Sequence, residues 1–259
     1  MEGSASQRPG ASRLAQTTRL VHLAFDANDV GAQARFWAAA LGWEVVHEDD
    51  EAVVAPAGFG YPGPGAVPLV FVPVPERKTV KDRVHLDLAT SSAEHQAELV
   101  SRLTGLGARP ASVGQGDVPW AVLADPEGNE FCVLEPRDVY SGTGPVAAIV
   151  TDCHDPAALA RFWSQAAGWT VCYQEDDFTG LRAPAGTGPF LEFLQKPDAK
   201  QVKNRLHPDL APEKTDDRDA ELARLLAAGA TRVDVGQGEV TWVVLADPEG
   251  NEFCLLSSR

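Results

Sequence analysis

The sequence predicts an α+β chain of four βαβββ modules, grouped as two copies of one domain of about 120 residues each. Three observations predict it. The segment from Val113 to Leu134 recurs from Val235 to Leu256 with 18 of 22 positions identical, at an offset of 122. Two further blocks, ARFWAAALGW from Ala34 and VKDRVHLDLA from Val80, return in the same order as ARFWSQAAGW from Ala160 and VKNRLHPDLA from Val202. Within a copy, a strand pattern followed by a helical one occurs twice.

The elements of the first copy follow from local chemistry. Arg19 to Phe25 reads as a strand, and Asn28 or Asp29 can cap a helix through Leu41, with Val30, Ala34, Trp37 and Leu41 on one face and Gly42 ending it. Short strands are expected at Trp43 to His47, Ala52 to Ala55 and Pro68 to Pro73, around the Gly/Pro-rich loop AGFGYPGPGA. The order then restarts: a strand from Arg83 to Leu88, a helix from Ser92 to Leu106 opened by a Ser91/Glu94 capping box and closed by Gly107, and strands near Ala111, Trp120 to Leu123 and Glu130 to Glu135. Residues 1–18 read as a disordered tail, 19–137 and 146–259 as the two domains, and 138–145 as a Gly- and Pro-containing linker. The D-P-E-G-N segments (Asp125 to Asn129, Asp247 to Asn251) read as tight turns with the Asp bonding the backbone.

Composition narrows the class of function. With 22 Lys plus Arg against 37 Asp plus Glu, the net charge of -15 speaks against nucleic acid and anionic membranes as partners. No apolar run approaches the ~20 residues of a membrane helix. Four scattered cysteines and no signal-peptide pattern point to free thiols and a reducing cytoplasm.

Paired βαβββ modules, a His-bearing first strand in three of the four, and the blocks KxVKxRxHxDLA and LADPEGNEFCxL resemble the glyoxalase/bleomycin-resistance/dioxygenase group of the vicinal-oxygen-chelate superfamily. The resemblance covers nearly everything after residue 18. It implies two glyoxalase-like domains, each a half-open β cup with flanking helices formed by two modules side by side. Such a cup holds a divalent metal in many members and only a small organic ligand in others, so the fold leaves the chemistry open.

Metal-binding members take ligands from the first and last strands of modules. That pattern implies His22 and His85 in the first copy, with Glu130, or Cys132 as the alternative third ligand, the latter favouring zinc or a similar soft ion. In the second copy Ala148 stands where the first has His22, while His207 and Cys254 keep their positions and Glu192 is a substitute carboxylate of unassigned orientation. Alternation places Arg83, His85 and Asp87 on one face, as it does Arg205, His207 and Asp209, either as a binding site or as a salt bridge at a module boundary. Trp120 and Trp242 either stack on a planar ligand or fill core volume. The ligand-binding candidates are therefore Arg83, His85, Trp120, Arg205, His207 and Trp242. The expected function is small-molecule binding, as in sequestration or resistance, with a degraded metal site. The alternative is a metal-dependent lyase, isomerase or dioxygenase acting through the first copy. The chain is expected to be a monomer or a homodimer.

Overall fold

The computed structural model describes residues 18–258 except 49, 61, 62 and 64. The expected tail lies outside the described residues up to 17, and Thr18 already belongs to a strand; the AGFGYPGPGA loop is described only in part. Four modules follow in order. The first has β1 (Thr18–Ala27), α1 (Val30–Leu41), β2 (Glu44–Glu48), β3 (Ala52–Ala55) and β4 (Leu69–Pro73), and the second has β5 (Val84–Leu88), α2 (Ala93–Gly105), β6 (Arg109–Pro110), β7 (Ala121–Ala124) and β8 (Glu130–Val133). A 3-10 turn at Asp138–Tyr140 leads to the third, with β9 (Val146–Cys153), α3 (Pro156–Ala167), β10 (Thr170–Gln174), β11 (Phe178–Arg182) and β12 (Phe190–Gln195). The fourth has β13 (Leu206–Pro212), α4 (Arg218–Ala227), β14 (Thr231–Arg232), β15 (Val243–Ala246) and β16 (Glu252–Leu255).

The fold is the expected one, two open sheets with flanking helices, but its pairing crosses the repeat. One eight-stranded sheet runs β14-β15-β16-β13-β1-β4-β3-β2 and the other β10-β11-β12-β9-β5-β8-β7-β6. The first module therefore shares a sheet with the fourth, and the second with the third. The central pairs β1/β13 and β5/β9 are antiparallel. The two modules of one copy do not lie side by side in one sheet; they meet through their helix-covered faces.

Local signals end the helices as the residues dictate. The Asp29 carboxylate accepts from the Ala32 N–H at 2.9 Å, and Gly42 closes α1 in the left-handed region at φ 66°. On α2 the capping box is shifted by one residue from expectation: Ser92 Oγ accepts from the His95 N–H, and the return bond runs from the Ser91 N–H to His95 Nδ1, both at 3.1 Å. Histidine performs the reciprocal half that Glu94 was expected to supply.

Trp37 on α1 shows how the modules of a copy adhere. It is 1% exposed and packs on Phe25 of β1 and on Phe131 of β8, with ring centroids 5.5 and 5.1 Å apart. Its indole N–H donates to Asp125 of the D-P-E-G-N turn at 3.2 Å. Trp163, Phe253 and Asp247 repeat the arrangement in the second copy.

The turn is structural on both sides. Asp125 accepts from the Glu127 and Asn129 N–H groups, and Gly128 takes φ 94°. Glu127 then reaches across to cap the N-terminus of α1, accepting from Asn28 and Asp29, and pairs with Arg205 of the other copy at 2.8 Å. Reciprocally, Glu249 caps α3 through His154 and Asp155 and pairs with Arg83. Each carboxylate thus satisfies orphan helix donors and ties two copies together.

Candidate functional site

Alternation along the central strands aims His22 and Asp26 of β1, His207 and Asp209 of β13, and Cys254 of β16 into the hollow of the first sheet. Register brings them into contact: His22 lies opposite Asp209 across β1/β13, and Asp209 opposite Cys254 across β13/β16. The His22 Nε2–H donates to Asp209 Oδ2 at 2.6 Å, and His207 Nε2 stands 3.6 Å from Asp209 Oδ1. Burial alone would push the Asp209 carboxyl up. The His22 hydrogen bond, the His207 and His22 rings and the neighbouring Cys254 thiol outweigh it and hold the group below the usual carboxylate range. Burial and then the Asp209 charge push the Cys254 thiol far above its usual range, so it stays a neutral thiol and not a thiolate nucleophile.

These groups border a cavity of 1210 Å³, larger than the ~300–1000 Å³ of common small-molecule sites. Val70 and Val72 of β4, Val244 of β15 and Leu256 supply apolar wall, and Trp242 stands beside them, half-buried.

The second sheet has the related constellation and a different outcome. His85, Asp87 and Cys132 converge as their counterparts do, with His85 Nε2 3.6 Å from Asp87 Oδ1. The residue opposite Asp87 on β9 is Ala148, which offers no hydrogen bond. Burial accordingly pushes the Asp87 carboxyl up, against the opposing pull of His85, the Cys132 thiol and Arg137. Aromatic side chains crowd this hollow, while His85, Asp87 and Cys132 stay partly exposed. Glu192 of β12 is 1% exposed and accepts from the Tyr140 hydroxyl at 3.0 Å and from the Tyr173 hydroxyl. Tyr140 packs edge-on against Phe190, and Arg137 lies over the rings of Trp120 and Tyr140 at 5.6 and 5.9 Å. Burial outweighs both tyrosine bonds and raises Glu192 to about 7.

The sequence-predicted metal set is not assembled. Because β1 pairs with β13 and β5 with β9, His22 lies in one sheet and His85 and Glu130 in the other. Glu130 is held by Lys78 at 2.7 Å and by the Asp82 N–H at 3.1 Å. His22 instead meets residues of the second copy, while Cys132 stays with His85. Of the ligand-binding candidates, His207 and Trp242 border the open cavity, and His85 and Trp120 stand, partly exposed, in the crowded second hollow. Arg83 and Arg205 reach the cavity rim but spend their donors on the cross-copy locks. Sequence reasoning gave Tyr140 no role, because it stands in a stretch that reads as linker; its aromatic ring among Gly and Pro was the signal. Asp209 was visible as a face-mate of His207, but its bond to His22 spans 187 residues.

Among the described residues, two groups of three potential ligands occur, His85/Asp87/Cys132 and His207/Asp209/Cys254, each with its donor atoms within 4.8 Å of one another. Both lack a full set of the usual family ligands. No helix of the described residues is long and apolar enough to cross a membrane.

The model of the glyoxalase-like domain family matches residues 22–134 and again 148–256. No curated protein matches the sequence. Among solved structures, glyoxalase I from Zea mays aligns over 93% of this chain and 92% of its own with a TM-score of 0.64 and 14% identity. A putative dioxygenase from Bacillus subtilis aligns over 93% and 86% with a TM-score of 0.60 and 15% identity. At such identities the likeness concerns the fold alone. The chain belongs to the glyoxalase-like domain family, with two such domains in tandem in the vicinal-oxygen-chelate superfamily.

Proposed function

We propose that this protein binds a small organic molecule in the cup of the first sheet, as a sequestering or resistance protein would, and that the second sheet is its structural partner. One observation carries the reading: the first hollow is an open cavity of 1210 Å³ edged by His207, Asp209 and Trp242, whereas Tyr140, Tyr173 and Phe190 crowd the second. A cavity of mixed apolar wall and few convergent polar groups is the usual form of a small-molecule site. Titrating the full chain with a panel of aromatic natural products while following tryptophan emission tests it. Saturable change for at least one of them is expected, and no response to any refutes it.

A second reading, metal-dependent chemistry in the same cup, is favoured by the His207/Asp209/Cys254 donors. Nitrogen, carboxylate oxygen and sulfur suit a zinc-type ion, and the 3.6 Å between His207 Nε2 and Asp209 Oδ1 is close to the ~3.4 Å edge of a zinc tetrahedron. Those three residues would hold the ion, which would polarise a ligand oxygen or activate water. His22 would orient Asp209 through its Nε2–H. Elemental analysis after growth with added metal, with melting before and after chelation, decides it: substoichiometric zinc and unchanged melting exclude this reading.

Both sheets are completed within one chain, which supports a monomer as the working form, and sedimentation velocity tests it. The four cysteines are free, which supports a reducing compartment.

A further inference from the structure

The class of ligand follows from how the charges around the cavity are paired, given that the first cup takes a small molecule. Of the six cations that border the cavity, five are already neutralised, and the sixth, Arg77, is solvent-exposed with no ion pair among the described residues. Lys203 pairs with Asp26, Lys81 with Asp152, Lys78 with Glu130 at 2.7 Å, Arg205 with Glu127 at 2.8 Å and Arg83 with Glu249 at 3.4 Å. These five present no uncompensated positive charge to an anionic ligand, and Arg77 stands in solvent at the rim, away from the buried carboxylate. Anions entering the cup would also meet the field of a chain carrying -15.

The cup's interior has the opposite character. Asp209, 5% exposed and bordering the cavity, has no Lys or Arg partner. Its Oδ2 is satisfied by His22, whereas its Oδ1 has no hydrogen-bond partner and stands beyond bonding distance of His207. A buried carboxylate with an unsatisfied oxygen is costly, and a donor or a positive charge brought to it relieves that cost. Beyond the His22, His207 and Cys254 side chains around Asp209, the cavity has apolar wall in Val70, Val244 and Leu256, the last two packed with Trp242.

We propose that the ligand is an organic cation, an amine on a flat apolar body, whose ammonium group pairs with the Asp209 carboxylate while its ring system lies along Trp242. His22 is a positioning residue: its Nε2–H holds Oδ2 at 2.6 Å and leaves Oδ1 as the oxygen without a partner. The second sheet lacks this device because Ala148 stands opposite Asp87 where the first sheet has His22 opposite Asp209, and Tyr140 and Tyr173 enter the hollow to bond Glu192.

The test is calorimetric titration of the full chain, untreated and after dialysis against EDTA, with three probes sharing one naphthalene: naphthylmethylammonium, naphthylmethanol and naphthoate. The expected result is about tenfold tighter binding of the ammonium than of the alcohol, with naphthoate weakest. Asp209→Asn, of nearly equal shape, is expected to bring ammonium and alcohol to similar affinity. The comparison on the unmutated protein stands even where the variant fails to fold. Naphthoate binding as well as the ammonium, in either state of the protein, overturns the proposal, as does a full ammonium preference retained by a folded Asp209→Asn. Equal binding of alcohol and ammonium removes the cation assignment and leaves the cup reading intact, whereas no binding of any of the three counts against both.

Discussion

Replacing Glu192 with Gln isolates the electrostatic character of the crowded hollow. Burial raises this carboxyl to about 7, despite hydrogen bonds from Tyr173 and Tyr140. In the unfolded chain an ordinary Glu titrates near 4.3. A folded-state value above the unfolded one means that the folded form binds the proton more tightly. The stabilisation is therefore complete below about pH 4.3 and is lost as pH rises through about 7. A difference of this size corresponds to about 3 kcal/mol, or some 6–12 °C of melting temperature in a chain of this length. Wild type should lose that increment between pH 4.5 and pH 8, over and above whatever other groups contribute. Glu192→Gln keeps the acceptor for both tyrosines and cannot titrate, so the difference in melting temperature between variant and wild type should shift in the variant's favour by this amount across the range. Parallel melting curves at six pH values suffice. A wild-type minus variant difference that stays flat across the range would refute the claim that Glu192 is buried uncompensated among the tyrosines.

Other consequences are accessible to simple assays. Trp37→Ala and Trp163→Ala each empty a site in the core that joins two modules, and each should cost about 3–5 kcal/mol in denaturant melts, with a loss below about 1 kcal/mol contradicting the packing. Arg205→Ala removes the cation bonded to Glu127, Asn129 and the Asp26 and Glu76 carbonyls, and should destabilise by about 2–4 kcal/mol without abolishing ligand binding. Residues 18–145 expressed alone leave β1 without β13 and β5 without β9, so they should sediment as a dimer or aggregate; a stable folded monomer would contradict the cross-copy sheets. Toward a thiol reagent Cys172, the exposed one, should react first, with Cys153 and Cys254 silent until unfolding; early labelling of Cys254 would contradict its burial.

Much of the fold was legible because period and punctuation are local. The strand ahead of each helix, Asp29 before α1, Gly42 after it and the Asp125 turn all follow from a few neighbouring residues. Which modules share a sheet was not legible. Modules one and three carry equivalent patterns, as do two and four, so pairing within a copy and pairing across copies satisfy the same alternation of apolar and polar residues. That ambiguity explains the misassembled metal set: His22 and His85 each occupy the expected strand, but the strands belong to different sheets. Likewise, the ion-paired fate of Arg83 and Arg205 depends on Glu249 and Glu127, more than 75 residues away in sequence. Tyr140 escaped notice because a linker residue has no periodicity to betray its burial.

The central claim is that the first cup alone receives the ligand, and tryptophan emission measured on two single variants tests it most directly. With a ligand that changes the emission of the full chain, Trp242→Phe should abolish most of the change, and Trp120→Phe, whose ring lies under Arg137 in the crowded hollow, should leave it intact. A response that survives Trp242→Phe and disappears in Trp120→Phe would place the ligand in the second sheet and contradict the account.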